Sequence, residues 1–470
     1  MAVDRRSGED LNKTSSGSID VHSFIDGRSI SKFQARVILL CFAVAMVDGF
    51  DTQAVAFVAP IVSGEMEFGP QGIGNLYSAG LFGLMLGALS FGPLADRIGR
   101  KPVVIISCLF MGIFSLLSAF SGSLNELLVF RFLTGLGIGG AMPNINSLTA
   151  EYSPRRRQAF LMTLMFAGFP FGAVLGGLLS VKLIALYGWS SVFILGGVTP
   201  LLLAVLLFMR LPESLRYRAA RNAEDVSIGN DMTAIDSSWQ PPVNATYTVV
   251  EPGASKLPRM PIIELFLGGR ANGTILIWIT YFANLLMMYS LLGWLPTILS
   301  EAGLGLAGGI YSAVAFNVGG IAGGLAISWM LDRQIGFWPI SICYLLGTGT
   351  VALVGSLGGS MNWALAVICL SGFTLMGGAF AMNAVTAAFY PTTVRSTGLG
   401  WGLAIGRLGA IFGPMAIGAA LAADRAVGEI FFLVAVPGVF CAISILLIGA
   451  KSRQLRVTQE QTQFQQETAV

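Results

Sequence analysis

The sequence predicts an all-α polytopic membrane protein, twelve transmembrane helices in two six-helix halves, and three observations carry that prediction. Of 470 residues, 54% are apolar and only 11% are charged, against about 25% charged in an ordinary soluble domain. Twelve membrane helices of roughly 20 residues would fill about 240 positions, close to the apolar share. The 59 glycines agree, because glycine is commoner in membrane helices than in soluble ones.

Apolar runs bounded by charges and turn residues place the helices. The first six fall near Arg36–Ala59, Gly72–Ala95, Pro102–Ser121, Glu126–Ala150, Gln158–Leu183 and Trp189–Met209. The other six fall near Asn272–Leu299, Gly305–Leu331, Phe337–Leu357, Trp363–Ala388, Thr397–Ala422 and Glu429–Ala450. The chain then divides into an N-terminal tail (1–32), one half (33–210), a linker (211–270), a second half (271–450) and a C-terminal tail (451–470). The tail is polar without the charged-then-apolar pattern of a cleavable signal, and is expected to be mostly disordered. The linker contains Pro241, Pro242, Pro252 and Pro258 and has little periodicity.

Lysine and arginine orient the layout, since cytoplasmic loops collect positive charge. With the N-terminus in the cytoplasm, 24 of the 28 fall in the tails, the linker and the loops on that side. Lys182 and Arg425 fall outside, and Arg131 and Arg407 within helices. Both termini are therefore expected to be cytoplasmic, in a multi-pass protein of the inner (plasma) membrane.

Composition also excludes. A net charge of +3 is too weak for a nucleic-acid footprint. Cys41, Cys108, Cys343, Cys369 and Cys441 lie in apolar runs and read as small core hydrophobes. The single histidine, His22, lies in a polar tail, so a histidine-built metal site or triad is not expected, nor any cofactor. Gly135-Leu-Gly137-Ile-Gly139-Gly140 fits a dinucleotide-binding pattern, but it follows no strand and sits in a membrane helix. Asn12-Lys-Thr14 and Asn244-Ala-Thr246 are glycosylation sequons by pattern only, on the cytoplasmic side.

The chain repeats itself. A shift of 236 aligns Gly83 with Gly319, Gly87 with Gly323, Asp96 with Asp332 and Arg97 with Arg333; a shift of 237 aligns Pro154 with Pro391, Gly172 with Gly409 and Gly176 with Gly413. Parallel halves joined by a polar linker are the architecture of major-facilitator carriers, with a site near the midplane between them. Gly92-Pro-Leu-Ala-Asp96-Arg97-Ile-Gly99-Arg100-Lys101 resembles the loop signature of that superfamily, with Gly92 read as a close-approach position and Asp96, Arg97 and Arg100 as gating charges. The second copy, around Asp332 and Arg333, has lost the trailing Arg-Lys. Arg131-Phe-Leu-Thr-Gly135, the Gly/Pro-rich fifth and eleventh helices and Pro212-Glu213-Ser214 resemble further signatures. Glu151 and Glu213 join Arg131, Asp332 and Arg333 among the residues assigned to gating. Packing alone accounts for the small residues of the fifth and eleventh helices equally well.

Buried charge is the most informative feature, because an ionisable group in a membrane helix costs at least about 2.5–3.5 kcal/mol and marks a pathway or a pair. Away from helix ends these groups are Asp48, Asp51, Arg131 and Arg407. Asp48 lies about 18 Å beyond Arg36 at the helical rise, near mid-membrane, and Asp51 shares its helical face. Arg407 reaches a similar depth, about 15 Å into its helix.

Val47-Asp48-Gly49-Phe50-Asp51-Thr52-Gln53 resembles the first-helix signature of the aromatic acid:proton symporters. Met142-Pro143-Asn144, Glu151-Tyr152, Tyr390-Pro391 and Gly406-Arg407 are similar to that family too. The resemblance implies uptake of hydroxybenzoate-like carboxylates driven by protons. A benzoate-type acid is anionic near neutrality, and Arg407 can grip a carboxylate through two hydrogen bonds. Phe50, Phe169, Tyr281, Tyr289 and Trp401 lie at depths suited to an aromatic slot, and Gln53, Asn144, Asn284 and Asn383 at depths suited to a ring hydroxyl. Asp48 and Asp51 are the candidates for carrying the proton. Small aromatic acids, protons and lipid are the expected partners, the chain acting as a monomer. Export or exchange of organic acids and carriage of another small organic anion stay open. A membrane enzyme is disfavoured for want of a nucleophile–base pair.

Overall fold

The structure, a computed structural model, describes residues 18–242, 245–248, 261–333, 337–355, 360–391 and 394–468. A pair of three-residue strands and seventeen α-helices account for nearly all of them. At the N-terminus come β1 (Ser18–Asp20) and α1 (Val21–Asp26); the first half follows as α2 (Lys32–Glu65), α3 (Pro70–Ile98), α4 (Arg100–Ser118), α5 (Leu124–Glu151), α6 (Arg155–Phe166), α7 (Gly168–Tyr187) and α8 (Ser190–Arg210). The linker holds α9 (Leu215–Arg221), α10 (Val226–Ile235), β2 (Thr246–Thr248) and α11 (Pro261–Glu264). The second half is α12 (Ala271–Leu299), α13 (Gly305–Asp332), α14 (Trp338–Val354), α15 (Met361–Phe389), α16 (Arg395–Ala422) and α17 (Val427–Thr468).

Twelve spans result, because α6 and α7 form one span bent at Ala167, and each overlaps its expected segment. Local chemistry sets their ends. Ser31 and Gln34 cap α2 reciprocally, and Pro70 opens α3 at the position where its missing N–H is harmless. Between α12 and α13 the chain reverses through Gly303 and Gly305, with φ of 93° and 66°, angles a β-carbon would strain. Leu202, Phe208, Phe432 and Leu433 are each more than three-fifths exposed, a surface that only lipid would cover favourably. The C-terminal helix runs beyond Ala450 to Thr468, so the segment read as a tail continues α17.

The internal repeat is visible in the packing. A β-carbon added at Gly83 would strike the Phe132 carbonyl, and one at its repeat mate Gly319 the Cys369 carbonyl. Gly87 meets Leu136 as Gly323 meets Phe373; Gly135 meets Gly80 as Gly372 meets Phe316; Gly172 meets Met46 as Gly409 meets Phe282. Every pair maps onto its mate by a shift of 236 or 237. These backbone-to-backbone seams join α3 to α5 and α2 to α7, then α13 to α15 and α12 to α16, as small residues do in lipid where apolar burial drives no helix association. Gly92 departs from expectation: nothing lies within 4 Å of a β-carbon there, so in this conformation it makes no close approach.

The halves meet on the face opposite the tails. Near the start of α3, Gly74 abuts Pro414 and Gly418 abuts the Pro70 carbonyl. Ser78 donates to the Ile411 carbonyl at 2.8 Å, Tyr77 and Trp294 rings sit 6.4 Å apart, and Gly177 faces Val314 and Ile310. Toward the tail-bearing face, the side-chain hydrogen bonds of the described residues stay within one half. The cleft is thus sealed on one side of the membrane.

The described residues of the tail and linker fold against each other. Ser18–Asp20 pairs in parallel with Thr246–Thr248, and Val21, Ile25, Ile228, Met232 and Tyr247 bury together. Phe24 meets Trp239 edge-on at 4.9 Å, Arg28 pairs with Asp236 at 2.6 Å, and Asp26 accepts the Arg155 amide at 2.6 Å. Hydrogen bonds from Ser238 and from Arg28 hold the Asp236 carboxyl down at about 2 against an ordinary 3.8. The stabilisation is therefore fully present above the ordinary value and is lost as pH falls from there through about 2. The two sequons and Pro252 and Pro258 include residues outside the described ones.

The seams predict a paired outcome. Gly83→Val and Gly319→Val should each destabilise by about 1–3 kcal/mol, the usual cost of overpacking, whereas Gly92→Ala should not. Melting temperatures in detergent check this; equal melting of all three would contradict the seam reading.

Candidate functional site

Near mid-membrane the two acids of α2 have different surroundings. Asp51 is buried and bound from α5 and α4: Arg131 Nη2 lies 2.5 Å from its Oδ2 and Nη1 3.2 Å from its Oδ1, while Ser115 donates to Oδ1 at 3.0 Å. Arg131 also donates to the Asp51 carbonyl at 3.2 Å and lies 5.3 Å from the Phe193 ring. Asp48 is equally buried, but it has one hydrogen bond, from Thr52 at 3.2 Å. Arg407 on α16 faces Asp48 and Tyr289 electrostatically, yet it makes no ion pair with a described residue. One half thus holds a closed ion pair and a lone acid, and the other an unpaired guanidinium.

Of these groups Arg131 lines a cavity between the halves, and Asp48 reaches it through Thr52, its hydrogen-bond partner. Its walls include Thr52, Gln53, Tyr77, Leu81, Arg131, Tyr289 and Pro414. Gln53 is buried with Nε2 unpaired. Asn284, one helix across, is buried with Oδ1 unpaired. An apolar slot with a few polar groups in its wall has the character of a small-molecule site.

Several expected residues sit elsewhere. Trp401 is 40% exposed, stacks on Trp278 at 5.9 Å and is not part of the cavity wall. Phe50 packs against Gly176 and Gly196, between α2, α7 and α8. Phe169 is half-buried and brings its backbone against Gly49; it is not part of the cavity wall. Tyr281 donates to Asn383 Oδ1 at 2.8 Å, so these two satisfy each other. Asn144 donates to the Gly140 carbonyl at 2.8 Å within its own helix. Arg131 lies in the cavity wall and is not among the charges of the tail-bearing face. Thr52, Ser115 and Tyr77 were not singled out from sequence. Only Thr52 carried a signal, a hydroxyl four residues after Asp48; Ser115 lies on another helix and nothing local points to it.

The other gating charges gather where the helices meet the linker. Glu213 Oε1 accepts the amides of Arg100 at 2.8 Å and Lys101 at 3.1 Å, capping α4. Gly99 makes room for that cap: its φ is 103° and a β-carbon would strike Glu213. Glu151 accepts from Ser214 Oγ at 2.6 Å and from the Arg216 amide at 3.3 Å. Tyr217 donates to the Arg97 carbonyl at 3.1 Å and Tyr152 to the Glu213 carbonyl at 2.8 Å. Asp96 pairs with Arg100 at 2.8 Å but stays 71% exposed, and the Arg97 side chain is exposed. In the second half Arg333 lies over the Trp329 ring at 4.0 Å; the side chain of Asp332 lies outside the described residues.

Two six-helix halves around a midplane cleft are the architecture of a membrane carrier. The sequence profile of the Major Facilitator Superfamily matches residues 41–414. The 4-hydroxybenzoate transporter PcaK of Pseudomonas putida is 37% identical over 93% of this chain and 97% of its own length. The gallate transporter of Pseudomonas putida is 38% identical over 92% of this chain and 95% of its own. Among solved structures, the inward-open xylose transporter XylE from E. coli superposes with a TM-score of 0.67 at 16% identity, over 88% of this chain and 96% of that one; it shares the fold. The chain belongs to the major facilitator superfamily, among its aromatic acid transporters, and is not an enzyme.

The pairing of Asp51 generates a test. Removing one partner of a buried ion pair strands the other and costs about 3–5 kcal/mol. Asp51→Ala should therefore lower the melting temperature well below that of Asp48→Ala. Similar melting of the two variants would refute the asymmetry between the acids.

Proposed function

We propose that this protein takes up a hydroxybenzoate-like aromatic carboxylate across the inner membrane, in symport with protons and as a single chain. The observation that carries the reading is Arg407, a guanidinium near mid-membrane without an ion-pair partner among the described residues, facing the lone Asp48. A mid-membrane cation without a counter-charge is costly; an anionic substrate supplies the missing partner and gains a two-pronged, charge-assisted bond. The names of the relatives, transporters of 4-hydroxybenzoate and gallate, support the same substrate class.

In this reading the tail-bearing face is cytoplasmic, so the structure is inward-facing. Asp48 carries the proton. Asp51 is held by Arg131 and shapes the site. Gln53 and Asn284, each with an unpaired polar atom, suit a ring hydroxyl. One proton moving with one monoanion is electroneutral, so the pH gradient would drive the cycle. Asp96, Arg97, Arg100, Glu151 and Glu213 form a latch on the cytoplasmic side, biasing the two global states without touching substrate. The exposure of Asp96 and Arg97 suits its open position.

Competition by a panel of aromatic acids for uptake into proteoliposomes under an imposed pH gradient tests the proposal. Accumulation of labelled 4-hydroxybenzoate with the gradient supports it; depletion would favour export, and indifference to the whole panel would overturn the substrate class.

Arg407→Lys should weaken binding about tenfold or more, since an ammonium lacks the fork and a hydrogen bond to a charged group is worth about 1.5–3 kcal/mol. Wild-type affinity in that variant would remove the anchoring role. Asp48→Asn should abolish accumulation driven by the pH gradient while leaving exchange at zero gradient largely intact. Accumulation at the wild-type level would exclude Asp48 as the coupling group.

A further inference from the structure

Hydroxyl side chains in membrane helices commonly donate to a carbonyl of their own helix one turn back, and this chain follows the pattern widely. Ser118 bonds the Phe114 carbonyl at 2.8 Å, Thr134 that of Phe130 at 2.8 Å, Thr280 that of Leu276 at 2.7 Å and Ser371 that of Val367 at 2.9 Å. Thr52 departs from it. Its Oγ1 donates instead to the side chain one turn back, Asp48 Oδ1, at 3.2 Å. Thr52 also lines the central cavity, beside Gln53 and its unpaired Nε2.

We propose that Thr52 is a positioning residue that reports the protonation state of Asp48 to the substrate by reversing its hydroxyl. The inference rests on the proton-coupled aromatic-acid reading above. A hydroxyl has one proton to give and two lone pairs. While Asp48 is ionised, that proton is held in a charge-assisted bond to the carboxylate, and Thr52 turns lone pairs toward the cavity, where they repel an anion. When Asp48 takes up a proton, the acid donates to the Thr52 oxygen. The threonine proton is then free to swing into the cavity and donate to the bound acid. No heavy-atom bond is made or broken, and the one proton added rests on Asp48. Proton and anion thereby favour each other's binding, and linkage makes the effect reciprocal.

The other groups facing Asp48 are Asp51 on the same helix, Cys108 from α4, Tyr289 from α12 and Arg407 from α16. Asp51 is engaged by Arg131, and Cys108 is buried away from the cavity wall. Tyr289 and Arg407 act on Asp48 through space, with no hydrogen bond to it. Thr52 both touches Asp48 and lines the cavity.

The test uses the purified full chain in nanodiscs, with 4-hydroxybenzoate as the probe and its affinity followed calorimetrically from mildly acidic to mildly alkaline pH. The wild type should bind more tightly as pH falls. Thr52→Val, which keeps the shape and drops the hydroxyl, should flatten that dependence, forfeiting about tenfold or more of the acid-side gain, the worth of one hydrogen bond to a charged group. Thr52→Ser should restore the slope, which a purely steric role for threonine would not achieve. Thr52→Ala, judged with the others by thermal melting, serves if the valine variant folds poorly. Wild-type slopes in the valine and alanine variants would overturn the relay and leave the transport reading standing. A wild type that binds no aromatic acid, or binds one without regard to pH, would overturn both.

Discussion

A charge placed in hydrocarbon must be matched, and in this protein one match is complete while another is left open. Arg131 closes on Asp51 with two side-chain contacts and a backbone one, and Ser115 takes up part of the remaining capacity of the carboxylate. That cluster ties α2, α4 and α5 together in the middle of the first half. It also leaves Asp48, one helical turn away on the same face, without a neighbouring guanidinium of its own. The division of labour between the two acids follows from that geometry. A carboxylate already bound by a cation contributes shape, while one held only by Thr52, itself in the cavity wall, can respond to what enters.

The rest of the molecule makes such a site movable. Within each half, glycine seams bring backbones together at α3–α5 and α2–α7 and at their mates α13–α15 and α12–α16. Between the halves, the contacts described concentrate on one side of the membrane and rest on Ser78, Tyr77 and a few glycines. Backbone-to-backbone seams within halves, with the contact between halves concentrated on one side of the membrane, suit rigid-body rocking about a midplane site. The clasp of tail and linker, anchored by Arg28–Asp236 and Asp26–Arg155, belongs to the first half; it shortens the stretch of linker left to bridge the two bodies.

Much of this was legible in the sequence, for physical reasons that also explain what was not. Span positions follow from the cost of exposing backbone or charge to lipid, and every span lies close to its expected place. The repeat was legible because the seams need glycine at fixed spacing, which survives divergence of the side chains around them. Trp401 and Phe50 were misplaced because both faces of a membrane helix are apolar, so no amphipathic pattern separates lipid from cleft. The clasp was missed because its strand pair joins Ser18 to Thr246, a long-range pairing of three-residue strands with almost no local signature. Burial of Asp48 and Asp51 was legible, but their inequality was not, because it depends on Arg131 and Ser115 arriving from other helices.

The repeat gives independent support for reading the charges as a pair and two singles. Under the shifts that superpose the seams, Asp51 maps to Met287 and Arg131 to Ile368. Both members of the ion pair are replaced by apolar residues, both buried. Exchanging a whole buried pair for hydrophobic residues is close to neutral, whereas losing one member is not, so the two halves illustrate the two permitted states of that position. The remaining charges are not exchanged together. Asp48 maps to Asn284, the neutral isostere, and Arg407 maps to Pro170. Each half has therefore kept one unmatched charge of opposite sign at a position where its mate carries none. In a duplicated scaffold whose seams are symmetric, this polarity is what the symmetry of the fold does not explain, and it is the feature that a carrier for an anion and a proton requires.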